Sequence, residues 1–320
     1  MNTHSNNSPV SLMPEKENID FTALLESVRN KKTELICVLG PTASGKTKYA
    51  VRLAREFDRL CGKQTAEIIS ADSRQIYKGM DIGTGKDLEE YGEIPLHLTD
   101  IAEAGEKYNV YEYQQAFEEV YGEIMERGGI PIICGGSGLY ISAAVNAYSF
   151  AEVPPDPELR CELEKEDIEE LREKLAELKP ITDRSVFESR KRLVRALEIA
   201  FYEEDHNITK SSFKKKDTYF IGMLVSAEER NKRIDDRLEY RLNHGLVEEV
   251  DKLLKDGIPP ETLSYYGLEY RFVSQYILKI YDYDEMKRML GDAIHRFGKR
   301  QMTWFRNMEK TGIRIHWTEP

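Results

Sequence analysis

The chain has 320 residues, 40% of them hydrophobic and 32% charged, with a formal net charge of −11. That length supports a large core in one elaborated domain or in two, and the composition describes a soluble globular protein. No apolar run approaches the roughly 20 residues needed to span a bilayer, the polar stretch Met1–Glu15 lacks the apolar core of a secretory signal, and the acidic total weighs against a polyanion partner.

In chain order, residues 1–30 read as a polar tail ending in a short amphipathic helix from Phe21 to Val28. Strand-like runs then recur at Leu35–Leu39, Glu67–Ser70, Leu96–Ile101 and Ile130–Cys134, with helical patterns at Lys46–Leu60 and Val110–Arg127. Such alternation predicts a parallel sheet covered on both faces, with ligands at the carboxyl ends of its strands. The prolines of Ala151–Pro157 break the pattern. From Glu158 to about Glu204 the chain is charged and helical, and Tyr219–Val225 returns as a buried strand. The prediction is an α/β core of the P-loop NTPase type: an N-terminal extension over 1–32, core segments 33–150 and 215–320, and a helical insertion over 151–214. Helices continue to about Met308, and Ile313–Trp317 closes with a strand. The four cysteines show no CxxC spacing. Cys37 and Cys134 fall inside predicted strands and read as core residues of a reducing, cytosolic protein.

The most informative segment is Gly40-Pro41-Thr42-Ala43-Ser44-Gly45-Lys46-Thr47, directly after the first strand. It is a complete G-x-x-x-x-G-K-[ST] phosphate loop. Gly40 and Gly45 let backbone N–H groups wrap a polyphosphate, the following helix points its positive end at the same anion, Lys46 supplies a point charge, and the Thr47 hydroxyl is placed to ligate Mg²⁺. Asp72 ends the second strand, where a carboxylate can hold a metal or accept a proton. With Gln75 three residues on, it equally fits a capping box at a helix start. Gly83-Thr84-Gly85-Lys86 is a second glycine-rich turn whose lysine could reach a phosphate or simply be exposed. Gly135-Gly136-Ser137-Gly138 follows a buried strand and either admits a substrate to the backbone or is a tight turn. Arg233 and Arg237 share a helix face and could clamp a diphosphate, or form a ladder with Asp235, Asp236 and Glu239. Basic clusters at Arg190–Arg195, Lys214–Lys216 and Arg296–Arg306 form either a polyanion footprint or solvated faces.

These motifs together resemble the tRNA dimethylallyltransferases, also called tRNA isopentenyltransferases. The matching stretches are Gly40–Thr47, Ser70–Thr84, Gly135–Tyr140, Asp156–Arg160, Arg192–Glu198 and Lys299–Phe305. The resemblance implies transfer of a dimethylallyl group from dimethylallyl diphosphate to N6 of adenosine 37 in tRNA, with a Mg²⁺ cofactor. It makes Asp72 the base and puts Thr42 near the reacting centre, with the diphosphate held by the phosphate loop, Arg233 and Arg237. It places tRNA contacts at Asp72, Ser73, Arg74, Gln75, Ser137, Arg160, Lys191, Arg192, Leu193, Val194 and Arg195, and along Ser264–Glu269. The helical insertion would grip the anticodon stem-loop of tRNA, and the chain is expected to act as a monomer away from any membrane. Departures from the family pattern fall at Leu96, at Leu268-Glu269, where a basic residue is usual, at Ile294-His295-Arg296 and at Ser189. Competing readings are an isopentenyltransferase of free adenine nucleotides, a P-loop small-molecule kinase and a non-catalytic RNA-binding paralogue.

Overall fold

A computed structural model describes residues 14–146, 153–178, 186–187, 189–206 and 213–320. The described residues fall into two compact units, one within 1–146 and 215–320, the other within 147–214. In the first, six strands form one parallel sheet: β1 (Leu35–Leu39), β2 (Ala66–Ser70), β3 (Leu96–His97), β4 (Ile130–Gly135), β5 (Thr218–Met223) and β6 (Ile315–Thr318), ordered β3-β2-β4-β1-β5-β6. Because every pairing is parallel, the segments after β1, β2 and β4 emerge side by side on one edge. This is the P-loop NTPase-like sheet expected from the sequence.

Strand β1 is apolar at every position because it lies between β4 and β5 and is buried on both faces. Strand β3 is shorter than the run Leu96–Ile101 predicts. Leu98 and Asp100 take φ of 60° and 55°, outside extended geometry, so the strand ends at His97. Helix α1 (Phe21–Arg29) is capped by Asp20 and buries Leu24 and Leu25 in the same core as α2 (Lys46–Cys61). The predicted extension is therefore part of the core from α1 onward, while residues 1–13 lie outside the described residues. Helices α3 (Val110–Glu126) and α4 (Gly138–Val145) also belong to this unit, the former opened by an Asn109–Glu112 capping box.

The second unit contains α5 (Pro157–Leu163), α6 (Ile168–Leu178) and α7 (Arg190–Asp205) around Leu163, Leu171, Leu175, Leu193 and Leu197. After β5 the first unit continues through α8 (Ala227–Leu242), α9 (Leu246–Lys255), α10 (Pro260–Tyr266), α11 (Leu268–Ile277) and α12 (Tyr283–Lys310), which share a separate apolar cluster. Cys37 and Cys134 are buried, and burial pushes both thiols well above the ordinary range. No described helix is long and apolar enough to cross a membrane.

Candidate active site

The phosphate loop joins β1 to α2 as the motif requires. Ala43 and Gly45 take left-handed φ of 60° and 83°, which turns successive N–H groups toward one concavity. Gly40 has no room for a side chain, since a Cβ there would stand 2.5 Å from Ser44 Oγ. That hydroxyl is buried without a hydrogen-bond partner. Lys46 is half-buried at the mouth of the loop. Burial lowers its pKa and the carboxylate of Asp72 opposes that shift. Burial drives the Tyr91 phenol and the Cys134 thiol upward, and the neighbouring Thr47 hydroxyl acts against both shifts.

Helix α8 brings its arginines to this loop. Arg237 donates to Thr42 Oγ1. Burial, followed by repulsion from Arg241, holds its pKa down to about 10. Nη1 of Arg233 lies 3.9 Å from where a Cβ on Gly45 would sit, and its Nε donates to Glu229 at 2.7 Å. The alternative of a ladder with Asp235, Asp236 and Glu239 is not what forms: Arg233 pairs one turn back with Glu229, Arg237 turns to Thr42, and Asp235 and Glu239 lie against His295 and Lys287. Two further arginines of α8, Arg230 and Arg241, are buried and were missed from the sequence. Their spacing of seven and four residues from Arg237 was the available signal, hidden among the many charges of the helix.

Asp72 and its neighbours form a turn, not a helix, so the capping-box alternative is set aside. Asp72 Oδ1 accepts from Arg74 N at 3.0 Å, and its backbone carbonyl accepts from Gln75 N at 3.3 Å. The ends of β2 and β4 are stitched together: Ser137 N donates to Ala71 O at 3.2 Å and Ser73 N donates to Ser137 Oγ at 3.1 Å. A Cβ on Gly135 would meet Ala71 O at 2.2 Å, so glycine is needed there. Gln301 on α12 accepts from Thr42 N and donates to Gly136 O, both at 2.8 Å, tying the phosphate loop to the β4–α4 turn. Arg74 donates to Tyr265 O, which joins the Asp72 turn to the segment Ser264–Glu269. Gln75 Nε2 donates to Gly85 O at 2.9 Å. Thus Asp72, Ser73, Arg74, Gln75 and Ser137 converge beside the phosphate loop.

The second glycine-rich turn differs from expectation. Glu249 accepts from Asp81 N at 2.9 Å, Ile82 N at 2.8 Å and Gly83 N at 2.9 Å, and from Tyr270 at 2.7 Å. Lys86 is buried on Tyr77 O, Asp81 and Asp100. It is neither exposed nor directed at a ligand.

Within the helical unit, Glu198 accepts two bonds from Arg160 at 2.9 and 2.8 Å, one from Asp156 N at 2.6 Å, and one from Arg195. Burial works to raise the Glu198 pKa, but these bonds outweigh it and the net shift is downward. Leu193 and Val194 lie in the core of this unit, which leaves their side chains unable to meet an RNA; Lys191 and Arg192 are exposed. Ser189 caps α7 by accepting from Arg192 N at 3.3 Å, so this departure from the family pattern still supplies the helix cap.

The IPP transferase family model matches residues 75–308 of this chain. The chain is 47% identical over 289 residues to tRNA dimethylallyltransferase 2 of Porphyromonas gingivalis, covering 89% of this chain and 93% of that protein. It is 46% identical over 293 residues to tRNA dimethylallyltransferase 1 of Parabacteroides distasonis, covering 90% and 93%. Among solved structures, the full-length tRNA isopentenylpyrophosphate transferase of Bacillus halodurans matches with a TM-score of 0.64 and 32% identity, over 89% of each chain.

Proposed function

The chain belongs to the IPP transferase family and is a prenyltransferase, and we propose that it transfers a dimethylallyl group from dimethylallyl diphosphate to N6 of adenosine 37 in tRNA. The observation that carries this reading is the gathering of two cations and a carboxylate at one sheet edge: Arg237 donates to Thr42 Oγ1 of the loop that carries Lys46, and Asp72 follows β2, two places along the sheet from β1.

The chemistry has two demands. The allylic C–O bond breaks with its electron pair leaving on diphosphate, so negative charge must be stabilised as it develops. The loop N–H groups, Lys46, Arg233 and Arg237 supply that stabilisation. The adenine amine attacks the allylic carbon, a C–N bond forms, and the N6 proton must be accepted. Asp72, at the end of β2 and held by the Arg74 N–H, is the base. Thr42 carries the Arg237 guanidinium at the reacting edge. The base leaves its stack to reach the site, which costs least in an unpaired loop such as an anticodon loop.

The donor set suits Mg²⁺. Thr47 offers a hydroxyl oxygen, while no described cluster of three His, Cys, Asp or Glu side chains is present, so substrate oxygens and water would complete the shell. When bound, the ion supplies positive charge to the departing diphosphate. On the RNA side, Lys191 and Arg192 are the exposed basic side chains of α7 that we assign to the anticodon stem-loop.

Incubation with dimethylallyl diphosphate and either unmodified tRNA or AMP tests the reading. Prenylated tRNA with released diphosphate is expected. Prenylated AMP with untouched tRNA, or phosphate transfer from ATP, overturns it.

A further inference from the structure

Four cationic side chains are buried among the described residues of the sheet-containing unit, and three have a carboxylate. Lys86 has Asp81 and Asp100, Lys216 has Glu118, and Arg241 has Glu269 at 3.9 Å. Arg230 has none. It is 5% exposed, its Nε lacks any hydrogen-bond partner, and its one hydrogen bond is a 3.5 Å contact from Nη2 to Asn231 Oδ1. A guanidinium keeps its charge in proteins, so this is a buried positive charge without a counter-ion. Burial and the neighbouring Arg306 both act against it.

Its position says where the counter-ion belongs. Arg230 Nε and the Thr42 methyl lie 3.4 and 3.8 Å from the point a Cβ on Gly298 would occupy. Glycine at 298 lets the arginine and the phosphate loop share that space. Thr42 is also the residue that Arg237 holds, and positions 230 and 237 lie two helical turns apart on the same face of α8. The uncompensated charge therefore borders the diphosphate loop and lies on the line of the clamp.

We propose that Arg230 is a further diphosphate-binding residue, kept buried and unpaired in the free protein so that the donor's phosphate oxygens become its counter-ion. The assignment rests on the donor reading given above. It also predicts an opposition between stability and affinity. Replacing a buried unpaired charge by an apolar side chain of similar shape is neutral or favourable to the fold, while a charge-assisted hydrogen bond to phosphate is lost.

The test compares the wild type with Arg230→Met and Arg230→Lys, titrating inorganic pyrophosphate and tRNA separately and recording the melting temperature of the free protein. Arg230→Met is expected to melt at or above the wild-type temperature, to bind pyrophosphate about ten- to a hundredfold more weakly, and to bind tRNA as the wild type does. Arg230→Lys keeps the charge but loses the planar fork, and is expected to weaken pyrophosphate binding several-fold. Wild-type pyrophosphate affinity in the methionine variant overturns the assignment, as does the same result in the lysine variant should the methionine variant fail to fold. Loss of tRNA affinity with pyrophosphate unaffected overturns it too, because the phosphate then belongs to the RNA backbone. If the wild type itself binds neither pyrophosphate nor dimethylallyl diphosphate, it is the donor reading that fails.

Discussion

Two glycine-rich turns of the sheet-containing unit gather backbone N–H groups, and they differ in who supplies the anion. At Asp81–Gly83 the anion is built in: Glu249 from α9 fills the turn and Tyr270 completes its shell. At Gly40–Thr47 no carboxylate accepts a hydrogen bond from the loop N–H groups among the described residues. Ser44 Oγ is left without a partner, Lys46 stays half-exposed, and the Thr42 N–H is taken by the neutral amide of Gln301. Glycine spacing marks where a chain can close around negative charge. Only the packing around the turn decides whether that charge is permanent or borrowed from a ligand.

Substitutions should separate the two turns cleanly. The largest effect is expected at the open one. Asp72→Asn should slow transfer to tRNA about 10²–10⁴-fold in single-turnover assays, since the N6 proton loses its acceptor, with pyrophosphate affinity nearly unchanged. Lys46→Ala should cost about 10²–10³ in kcat with the melting temperature preserved, because it removes transition-state charge stabilisation and not packing. The closed turn should respond in the opposite way. Glu249→Ala strands three backbone donors and a phenol, and a loss of about 3 kcal/mol or more is expected in urea denaturation, with KM for the donor close to wild type. A stable Glu249→Ala protein that no longer binds pyrophosphate would break the comparison.

Much of this was legible in the sequence because the signals were local. The run Leu35–Leu39 followed by Gly40–Thr47 fixes strand, loop and helix together, and Cys37, Ile36 and Val38 are as buried as their pattern demands. The role of Lys86 was not legible. Its partners are local in sequence (Tyr77, Asp81 and Asp100), but nothing in that spacing tells a buried ammonium from an exposed one. Glu249 was unreadable for a different reason, since it lies 166 to 168 residues from the N–H groups it satisfies. The arginines of α8 fall between these cases. Arg233 and Arg237 announce themselves by spacing, whereas Arg230 is distinguished only by the carboxylate it lacks.

The distinction between permanent and borrowed charge also divides the basic residues of the helical unit and yields the smaller predictions. Arg160 and Arg195 already own an anion in Glu198, and Arg195 also donates to Val153 O at 2.8 Å. The folded pKa of Glu198 is depressed, so its stabilisation is complete above the ordinary carboxylate value and is lost as pH falls through the folded value. Glu198→Gln should remove that acid-limb dependence and cost about 1–3 kcal/mol, less than a fully buried pair because both arginines can rehydrate. Lys191 is exposed. Lys191→Glu should leave stability and pyrophosphate affinity unchanged, weaken tRNA binding several-fold, and lower the salt dependence of that binding by about one to two counterions. Arg195→Glu should instead lose stability together with tRNA binding, since it breaks an internal pair before it can disturb an external one. Equal behaviour of the Lys191 and Arg195 variants would show that the Glu198 network does not set the difference.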